Sequence, residues 1–356
     1  TALRRLGRAP GRRVAPLAWT HARHLEAYFA IPLSGGVLHT LNPRLSPQDL
    51  AYIVNHADDQ ILLVDDVLLP VLERFRKEVK PRHVVVWCNG TSAPPGTHDY
   101  EQLIGPELAE FALPKLEENQ AAGMCYTSGT TGRPKGVLYS HRALVLHSLG
   151  SAMEDSLGIS QRDAVMPVVP MFHANAWGLP FTCVLAGAKQ VFPGPHLDAA
   201  SLLGLIQDEK VTIPAGVPTT LLGILEALDK NPKAFDTSHL RFLVVGGAGD
   251  VETDRLWAEQ RHGLTVLHAW GMTETTPLGS VSRPKAHLRS LPEAERFRLR
   301  ATQGIPPPLV ELRVVGEQGP VPRDGKSMGE LLVRGPWVAR AYFQNPAEAD
   351  KFTMDG

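Results

Sequence analysis

A run rich in glycine and hydroxyl residues, set between two short apolar stretches, constrains this chain most. Four hydroxyl residues and two glycines fill positions 127–132, and Lys135 follows three residues later. Residues 121–126 before the run are apolar and residues 136–139 after it favour strands, so we predict a loop between two strands. Glycines let backbone amides face an anion, while hydroxyl groups and a lysine add donors and charge. The pattern therefore predicts a phosphate-binding loop.

The run is not a Walker loop. That motif needs Gly-Lys-Ser/Thr at its end, whereas here Pro134 precedes the lysine and Gly136 follows it. A flexible glycine- and threonine-rich linker is the simple alternative. We favour the phosphate loop because a linker rarely carries a Pro-Lys-Gly turn or lies between two apolar strands.

Composition excludes several classes of protein. The chain has 356 residues, of which 21% are charged, and a net charge of −1, so no basic field indicates nucleic-acid binding. No apolar run approaches the roughly 20 residues that cross a bilayer. The three cysteines are widely spaced and form no Cys-x-x-Cys pair, which favours reduced thiols in the cytoplasm over a zinc site or a disulfide framework.

Short β-branched runs alternate with amphipathic stretches, which is typical of a doubly wound α/β fold. Ser46 and Pro47 predict a helix start, because serine caps helices and proline suits their first turn. After about residue 303, two strands with no helix between them indicate a small antiparallel unit. The predicted strands are 60–64, 83–88, 123–126, 165–169, 211–213, 242–245, 265–269, 310–315 and 329–333, and the later predicted helices are 199–209, 219–229 and 252–262.

Residues 126–137 resemble the signature loop of the adenylate-forming superfamily, which includes acyl-CoA synthetases, luciferases and peptide-synthetase adenylation domains. The resemblance implies two doubly wound α/β lobes, at 1–155 and 156–303, and part of a small β-barrel at 304–356. It also implies that the family's small C-terminal domain, with its adenylation lysine, is absent. The loop residues expected to contact the β- and γ-phosphates of ATP, together with Lys135, are Thr127, Ser128, Gly129, Thr130, Thr131 and Gly132.

The segment Trp270-Gly-Met-Thr-Glu274 resembles a second family motif. By resemblance, Thr273 meets the α-phosphate, and Glu274 binds Mg²⁺ together with Thr127. Magnesium needs only one or two protein oxygens, because phosphate and water supply the rest. Trp270 stands where the family usually has a tyrosine stacked on adenine, with core packing as the alternative. The other residues implied at the adenine site are Gly247, Ala248, His268 and Ala269.

The segment Pro170-Met-Phe-His-Ala-Asn-Ala-Trp177 resembles the fatty acyl-CoA synthetase form of the family's substrate motif. A peptide-synthetase domain would need a carboxylate here to pair with a buried ammonium group, and this segment has none. The resemblance implies that His173 lies beside the substrate carboxylate and has a catalytic role, although a structural histidine is the alternative. It also implies an acyl tunnel gated by Trp177. The other residues expected to line the tunnel are Ala174, Gly216 and Val217.

We therefore expect the N-terminal domain of an ATP-dependent, medium- or long-chain fatty acyl-CoA synthetase that uses Mg²⁺ and CoA. An aryl-CoA ligase and a non-catalytic nucleotide-binding fragment are the alternatives. The hydrolase-like pattern Gly325-Lys-Ser-Met-Gly329 lies in a polar stretch instead of between a buried strand and a helix, so we reject it. Acyl chain length, oligomeric state and a peripheral membrane contact stay open.

Overall fold

The structure is a computed structural model that describes residues 1–7, 9–108, 110–127, 132–247 and 258–353, except the side chain of Arg289. Within these ranges the strands form three sheets. The first two sheets are largely parallel and alternate with helices along the chain, and the third is antiparallel. The predicted fold class, two α/β sheets followed by a small antiparallel unit, is confirmed.

The first sheet has the strand order β5-β4-β3-β1-β2-β6-β7, with all neighbours parallel except β6 and β7. Its strands are β1 Arg13–Leu17, β2 Val37–His39, β3 Ile61–Asp65, β4 His83–Trp87, β5 His98–Asp99, β6 Ala121–Tyr126 and β7 Gly136–Ser140. The first strand, β1, starts at Arg13, and a helix separates it from β2, so the α/β alternation begins near the start of the chain.

The second sheet has the order β13-β12-β11-β10-β8-β9, and only β12 and β13 are antiparallel neighbours. Its strands are β8 Ala164–Pro167, β9 Lys189–Gln190, β10 Ile213–Gly216, β11 Leu243–Gly246, β12 Val266–Gly271 and β13 Leu278–Val281. The third sheet has the order β15-β14-β16 and consists of β14 Glu311–Gly316, β15 Gly319–Pro320 and β16 Glu330–Arg334. The three sheets fall inside the stretches 1–155, 156–303 and 304–356, whose boundaries remain a prediction.

Helices connect most of the parallel strands. They are α1 Ala2–Arg5, α2 Ala22–Leu33, α3 Pro47–His56, α4 Leu69–Glu73, α5 Tyr100–Ile104, α6 His141–Ala152, α7 Ala174–Trp177, α8 Leu179–Ala186, α9 Ala199–Asp208, α10 Pro218–Lys230 and α11 Glu293–Ala301. Helix α3 starts as predicted, with the Ser46 side chain accepting a hydrogen bond from the Asp49 N–H. Of the predicted helix 252–262, residues 258–262 are described and are helical. Among the described residues, no helix combines the length and apolarity that a membrane span requires.

Several observed strands were not predicted, namely β1, β2, β5, β9, β13 and β15, and two of the differences have a physical reason. The β-branched residues 211–213 mostly precede β10, which instead contains Pro214 and Gly216 and is held between β8 and β11. Strand β1 was not predicted, and it contains Pro16, a residue that usually argues against an interior strand. In both cases pairing with two neighbours overrides weak local preference.

Each parallel sheet ends in one antiparallel edge strand, β7 in the first sheet and β13 in the second. The loops that lead into these edge strands leave the carboxyl ends of β6 and β12. Ligands of open α/β sheets commonly bind outside the carboxyl ends of the strands. Residues 127 and 132–135 of the first loop and residues 272–277 of the second therefore follow the carboxyl ends of their strands, which is where a ligand of such a fold is expected.

A buried tryptophan attaches the third sheet to the rest of the molecule. Trp337 is 1% exposed, and its ring lies so close to α6 that a side chain added at Gly150 would begin 2.8 Å from it. Its indole N–H donates to the Leu278 carbonyl at 3.0 Å. The segment that follows β16 is thus fixed against both other sheets.

We predict that Gly150→Ala destabilises the protein by about 1–3 kcal/mol, because the new methyl group overpacks the Trp337 ring. The matched control is Gly204→Ala in α9, where nothing lies within 4 Å and a better helix former should stabilise the protein by about 0.5–1 kcal/mol. Urea unfolding followed by tryptophan fluorescence measures both. If both substitutions changed the free energy of unfolding in the same direction, this account of Trp337 would be contradicted.

Candidate active site

The predicted phosphate loop is closed at its base by two hydrogen bonds. The Thr127 N–H donates to the Lys135 carbonyl at 2.9 Å, and the Lys135 N–H donates to the Thr127 hydroxyl at 3.1 Å. Gly132 is exposed and has a φ of 150°. The predicted contacts Ser128, Gly129, Thr130 and Thr131 lie outside the described residues. The two bonds hold Lys135 at the exit of the loop, beside the first residue of β7.

The second predicted motif forms a tight turn after β12. Thr273–Thr275 is a single turn of 3₁₀-helix, and Thr273 is buried while Glu274 is half-buried. The Tyr139 hydroxyl from β7 donates to the Thr273 carbonyl at 2.8 Å, and the Ala339 N–H donates to the Glu274 carbonyl at 2.7 Å. The backbone that carries Thr273 and Glu274 is therefore tied to the first sheet and to the segment after β16.

Lys135 and Glu274, which are far apart in the sequence, line one groove together with Tyr342. The Tyr342 hydroxyl donates to Glu274 Oε1 at 2.5 Å, and Lys135 Nζ lies 5.1 Å from the centre of the Tyr342 ring. Lys135 Nζ also forms an ion pair with Glu348 Oε2 at 2.8 Å. Burial, and then the hydrogen bond to Glu274, raise the pKa of Tyr342, so its phenol stays protonated at neutral pH. The sequence reasoning identified Lys135 and Glu274 but missed Tyr342 and Glu348.

The predicted substrate segment contains an unusual backbone. Ala174, Asn175, Ala176 and Trp177 have φ values of 42°, 52°, 47° and 58°, so α7 is a left-handed turn. Left-handed helical geometry costs L-residues about 1–2 kcal/mol each, and therefore the surroundings must hold it. Asn175 is buried, and its Oδ1 accepts hydrogen bonds from the Tyr28 hydroxyl at 3.3 Å and the Cys125 thiol at 3.4 Å.

Side chains of the first lobe hold the residues just before this turn. The Thr20 hydroxyl accepts a hydrogen bond from the Met171 N–H at 3.2 Å, and the Thr40 hydroxyl donates to the Phe172 carbonyl at 3.4 Å. The Tyr28 hydroxyl donates to the Met171 carbonyl. The segment therefore lies at the contact between the two lobes, although its sequence follows β8 of the second.

A buried histidine closes the turn at its other end. Gly178 has a φ of 71°, and a side chain there would begin 2.5 Å from His147 Cε1. His147 Nε2 accepts the Leu278 N–H at 3.3 Å, and burial lowers the His147 pKa to about 3. His147 is thus neutral at physiological pH, as an acceptor at Nε2 requires. No sequence signal distinguished it from the other histidines.

Trp177, Gly246, Gly247 and Val217 form an apolar surface that we call the apolar wall. The Trp177 ring lies against Gly246, where an added side chain would begin 3.2 Å from Trp177 Cη2 and 2.5 Å from the Ala269 carbonyl oxygen. Gly247 has a φ of 86°, and a side chain at its position would begin 3.6 Å from Val217 Cγ1. Glycine at position 246 therefore lets the Ala269 carbonyl and the Trp177 ring approach the strand end closely, while the positive φ at position 247 favours glycine there; the predicted approach of a flat ligand remains a prediction.

Two of the residues predicted to line an acyl tunnel, Gly216 and Val217, border a small cavity. The cavity has a volume of about 10 Å³ and is almost entirely apolar. That space is about one water-sized probe, so an acyl chain could enter only if side chains moved. The lining residues are Val168, Pro214, Gly216, Val217, Thr220, Leu221, Ile224, Leu243, Val244 and Val245.

The other predicted site residues have mixed environments. His173 is exposed, and desolvation by the surrounding protein lowers its pKa. His268 and Ala269 are buried in β12, and the His268 N–H donates to the Ser282 hydroxyl at 2.9 Å. Trp270 is half-buried, and its ring covers Gly279 of the neighbouring strand. Ala248 lies outside the described residues. The roles of all these residues remain predictions.

This chain belongs to the AMP-binding enzyme family, whose model matches residues 1–343. It is 49% identical to the long-chain-fatty-acid–CoA ligase of Thermus thermophilus, covering 99% of this chain and 64% of that protein. It is 44% identical to the medium-chain-fatty-acid–CoA ligase of Ectopseudomonas oleovorans, covering 97% of this chain and 64% of that protein. The predicted family is confirmed, and the chain spans about 64% of the length of these curated relatives.

A solved structure supports the same fold. The crystal structure of a long-chain-fatty-acid-CoA ligase from Archaeoglobus fulgidus superimposes with a TM-score of 0.86. The alignment covers 98% of this chain and 68% of that one, at 23% identity. At this level of identity the likeness concerns the fold alone.

We predict that Glu348→Gln tightens ATP binding about fivefold, because Lys135 then no longer has to leave a carboxylate to meet a phosphate. The factor corresponds to about 1 kcal/mol, the upper range for a partly exposed ion pair. Calorimetric titration of ATP at low salt measures it. Glu209→Gln, which removes a similar pair with Lys189 at 2.6 Å outside the groove, is the control and should change nothing. Unchanged or weaker ATP binding by Glu348→Gln would contradict the prediction.

Proposed function

We propose that this chain forms the nucleotide- and acyl-binding part of an ATP-dependent fatty acid–CoA ligase. The product would be an acyl-adenylate and then an acyl-CoA thioester, formed from a medium- or long-chain acid. The observation that carries the proposal is the convergence of Lys135 and Glu274 on Tyr342 in one groove. These two charges come from two separate motifs, which the sequence analysis assigned to phosphate and, by resemblance, to a cation.

The proposed chemistry has two steps. In the first, a carboxylate oxygen of the fatty acid attacks the α-phosphorus of ATP, and the bond to pyrophosphate breaks. In the second, the thiol of CoA attacks the acyl carbonyl carbon and AMP leaves. No side chain acts as a nucleophile in this scheme, so the protein would act by positioning the substrates and neutralising phosphate charge. Lys135 would supply positive charge in that arrangement.

The oxygen donors at the site fit Mg²⁺. Within the described ranges, no three histidine, cysteine or acidic side chains are grouped to hold a metal by themselves. A single carboxylate, Glu274, beside a lysine suits an ion that takes its other oxygens from phosphate and water. Glu274 and the Thr127 hydroxyl would hold the ion, which when bound supplies charge neutralisation at the phosphate oxygens.

The apolar wall supports a fatty acid over an amino acid. The residues around Trp177, Gly246 and the small cavity are apolar, and segment 170–177 contains no carboxylate that could pair with an ammonium group. The wall and the charged groove share one strand, since β12 carries Ala269 and leads directly to Glu274. An aryl acid is the second candidate, because Trp177 and Trp270 could also border a flat ring.

CoA as the second substrate and a cytoplasmic location are parts of the same proposal. The cysteines Cys88, Cys125 and Cys183 are free, which suits a reducing compartment. The net charge of −1 gives no support to a nucleic-acid partner. A peripheral membrane contact and the oligomeric state do not enter the proposal.

We predict that Glu274→Ala lowers adenylation about 100-fold and leaves fatty acid binding within twofold, because the carboxylate acts on the nucleotide and not on the acyl chain. Pyrophosphate release in the full-length protein measures the first quantity, and displacement of a fluorescent fatty acid measures the second. Glu26→Ala is the matched control, since Glu26 also accepts a tyrosine hydrogen bond, at 2.6 Å from Tyr100, but lies outside the groove. Pyrophosphate release by Glu274→Ala at the wild-type rate would refute the role of this residue.

A further inference from the structure

The segment that follows β16 is tied to both loops of the candidate site. The Ala339 N–H donates to the Glu274 carbonyl at 2.7 Å, and the Phe343 N–H donates to the Gly136 carbonyl at 2.8 Å. Gly136 is the residue next to Lys135, so the two bonds connect 339–343 to the carriers of both charges. Tyr342 lies between these two anchored residues in the sequence, and its side chain contacts both Lys135 and Glu274.

The Tyr342 side chain uses different groups for the two charges: its hydroxyl contacts the negative Glu274 and its ring contacts the positive Lys135. The hydroxyl donates to the carboxylate of Glu274, a charge-assisted hydrogen bond of the stronger kind. The ring lies near the ammonium group of Lys135, where the negative face of an aromatic ring attracts a cation. One half-buried side chain therefore contacts both opposite charges, and the ammonium group of Lys135 is also paired with Glu348.

A purely packing role would not need the hydroxyl group. Tyr342 is half-buried: it packs at the side of the cluster around Tyr139 and Val137, and its ring lies edge-on to the Phe352 ring at 5.2 Å. Phenylalanine would fill the same volume and would keep the contact with Lys135. What the tyrosine adds is a hydrogen-bond donor to Glu274 Oε1, which leaves the second carboxylate oxygen available as a ligand.

We propose that Tyr342 is a positioning residue of the nucleotide site: its hydroxyl orients Glu274 for the cation that accompanies the nucleotide, and its ring orients Lys135 for phosphate. The proposal rests on the proposed function, because it assigns Tyr342 to the same site. Partners that orient metal-binding carboxylates are typically worth 10–100-fold in metal affinity or activity. The two parts of the side chain should therefore be separable by substitution.

The test compares ATP binding with Mg²⁺ and with EDTA, by calorimetry, for wild type, Tyr342→Phe and Tyr342→Leu. Tyr342→Phe should weaken binding of the magnesium complex about tenfold and leave binding in EDTA within twofold, because only the hydrogen bond is lost. Tyr342→Leu should weaken both, because Lys135 also loses the ring. Tyr100→Phe is the matched control, since it removes a tyrosine–glutamate hydrogen bond of 2.6 Å outside the groove and should leave both affinities unchanged.

A double-mutant cycle separates positioning from general damage to the fold. If Tyr342 acts through Glu274, Tyr342→Phe should have no further effect on magnesium-dependent binding once Glu274→Ala is present. Equal loss in magnesium and in EDTA for Tyr342→Phe, or an effect that persists with Glu274→Ala, would overturn the proposal. So would an unchanged magnesium affinity. A wild-type chain without measurable affinity for ATP in either condition would contradict the proposed function itself, together with this role of Tyr342.

Discussion

Two backbone hydrogen bonds, from Ala339 to Glu274 and from Phe343 to Gly136, hold the candidate site together. They join a segment that follows the third sheet to one loop of each parallel sheet. The same segment is anchored by Trp337, which is buried against α6 and bonded to Leu278. Because Lys135 and Glu274 belong to different sheets, their separation depends on this bridge as much as on their own loops. The positions of the two charges therefore depend on contacts that involve all three sheets.

The apolar end of the site depends on a different constraint. Trp177 is held in place by a left-handed turn whose backbone geometry is unfavourable and whose Asn175 is bonded to Tyr28 and Cys125 of the first lobe. The neutral His147 packs against the end of that turn. Both constraints join segments that belong to different sheets, so the charged groove and the apolar wall depend on the packing of the sheets against one another. A ligand with an anionic part and an apolar part fits such an arrangement.

Local signals in the sequence were enough to predict the α/β class, the start of α3 and the loop between β6 and β7, because caps, glycines and periodicity act over a few residues. They were not enough for β1, which lies between β3 and β2 in spite of Pro16, a residue that has no N–H to donate to a neighbouring strand. The left-handed turn at 174–177 contains alanines, whose own preferences are right-handed. Tyr342 and Glu348 were missed for a similar reason: their importance comes from contacts with residues at positions 135 and 274, which only the folded chain reveals.

The most direct test of the account is binding of non-hydrolysable acyl-adenylate analogues of increasing chain length, followed by tryptophan fluorescence, with a benzoyl analogue and ATP as controls. The account predicts that each added methylene improves affinity, by up to about 0.8 kcal/mol, until the chain outgrows the space that the apolar wall can open. A steady rise that ends in a break would support a fatty acid site joined to a nucleotide site. Tightest binding of the benzoyl analogue, or no saturable binding of any analogue, would contradict it.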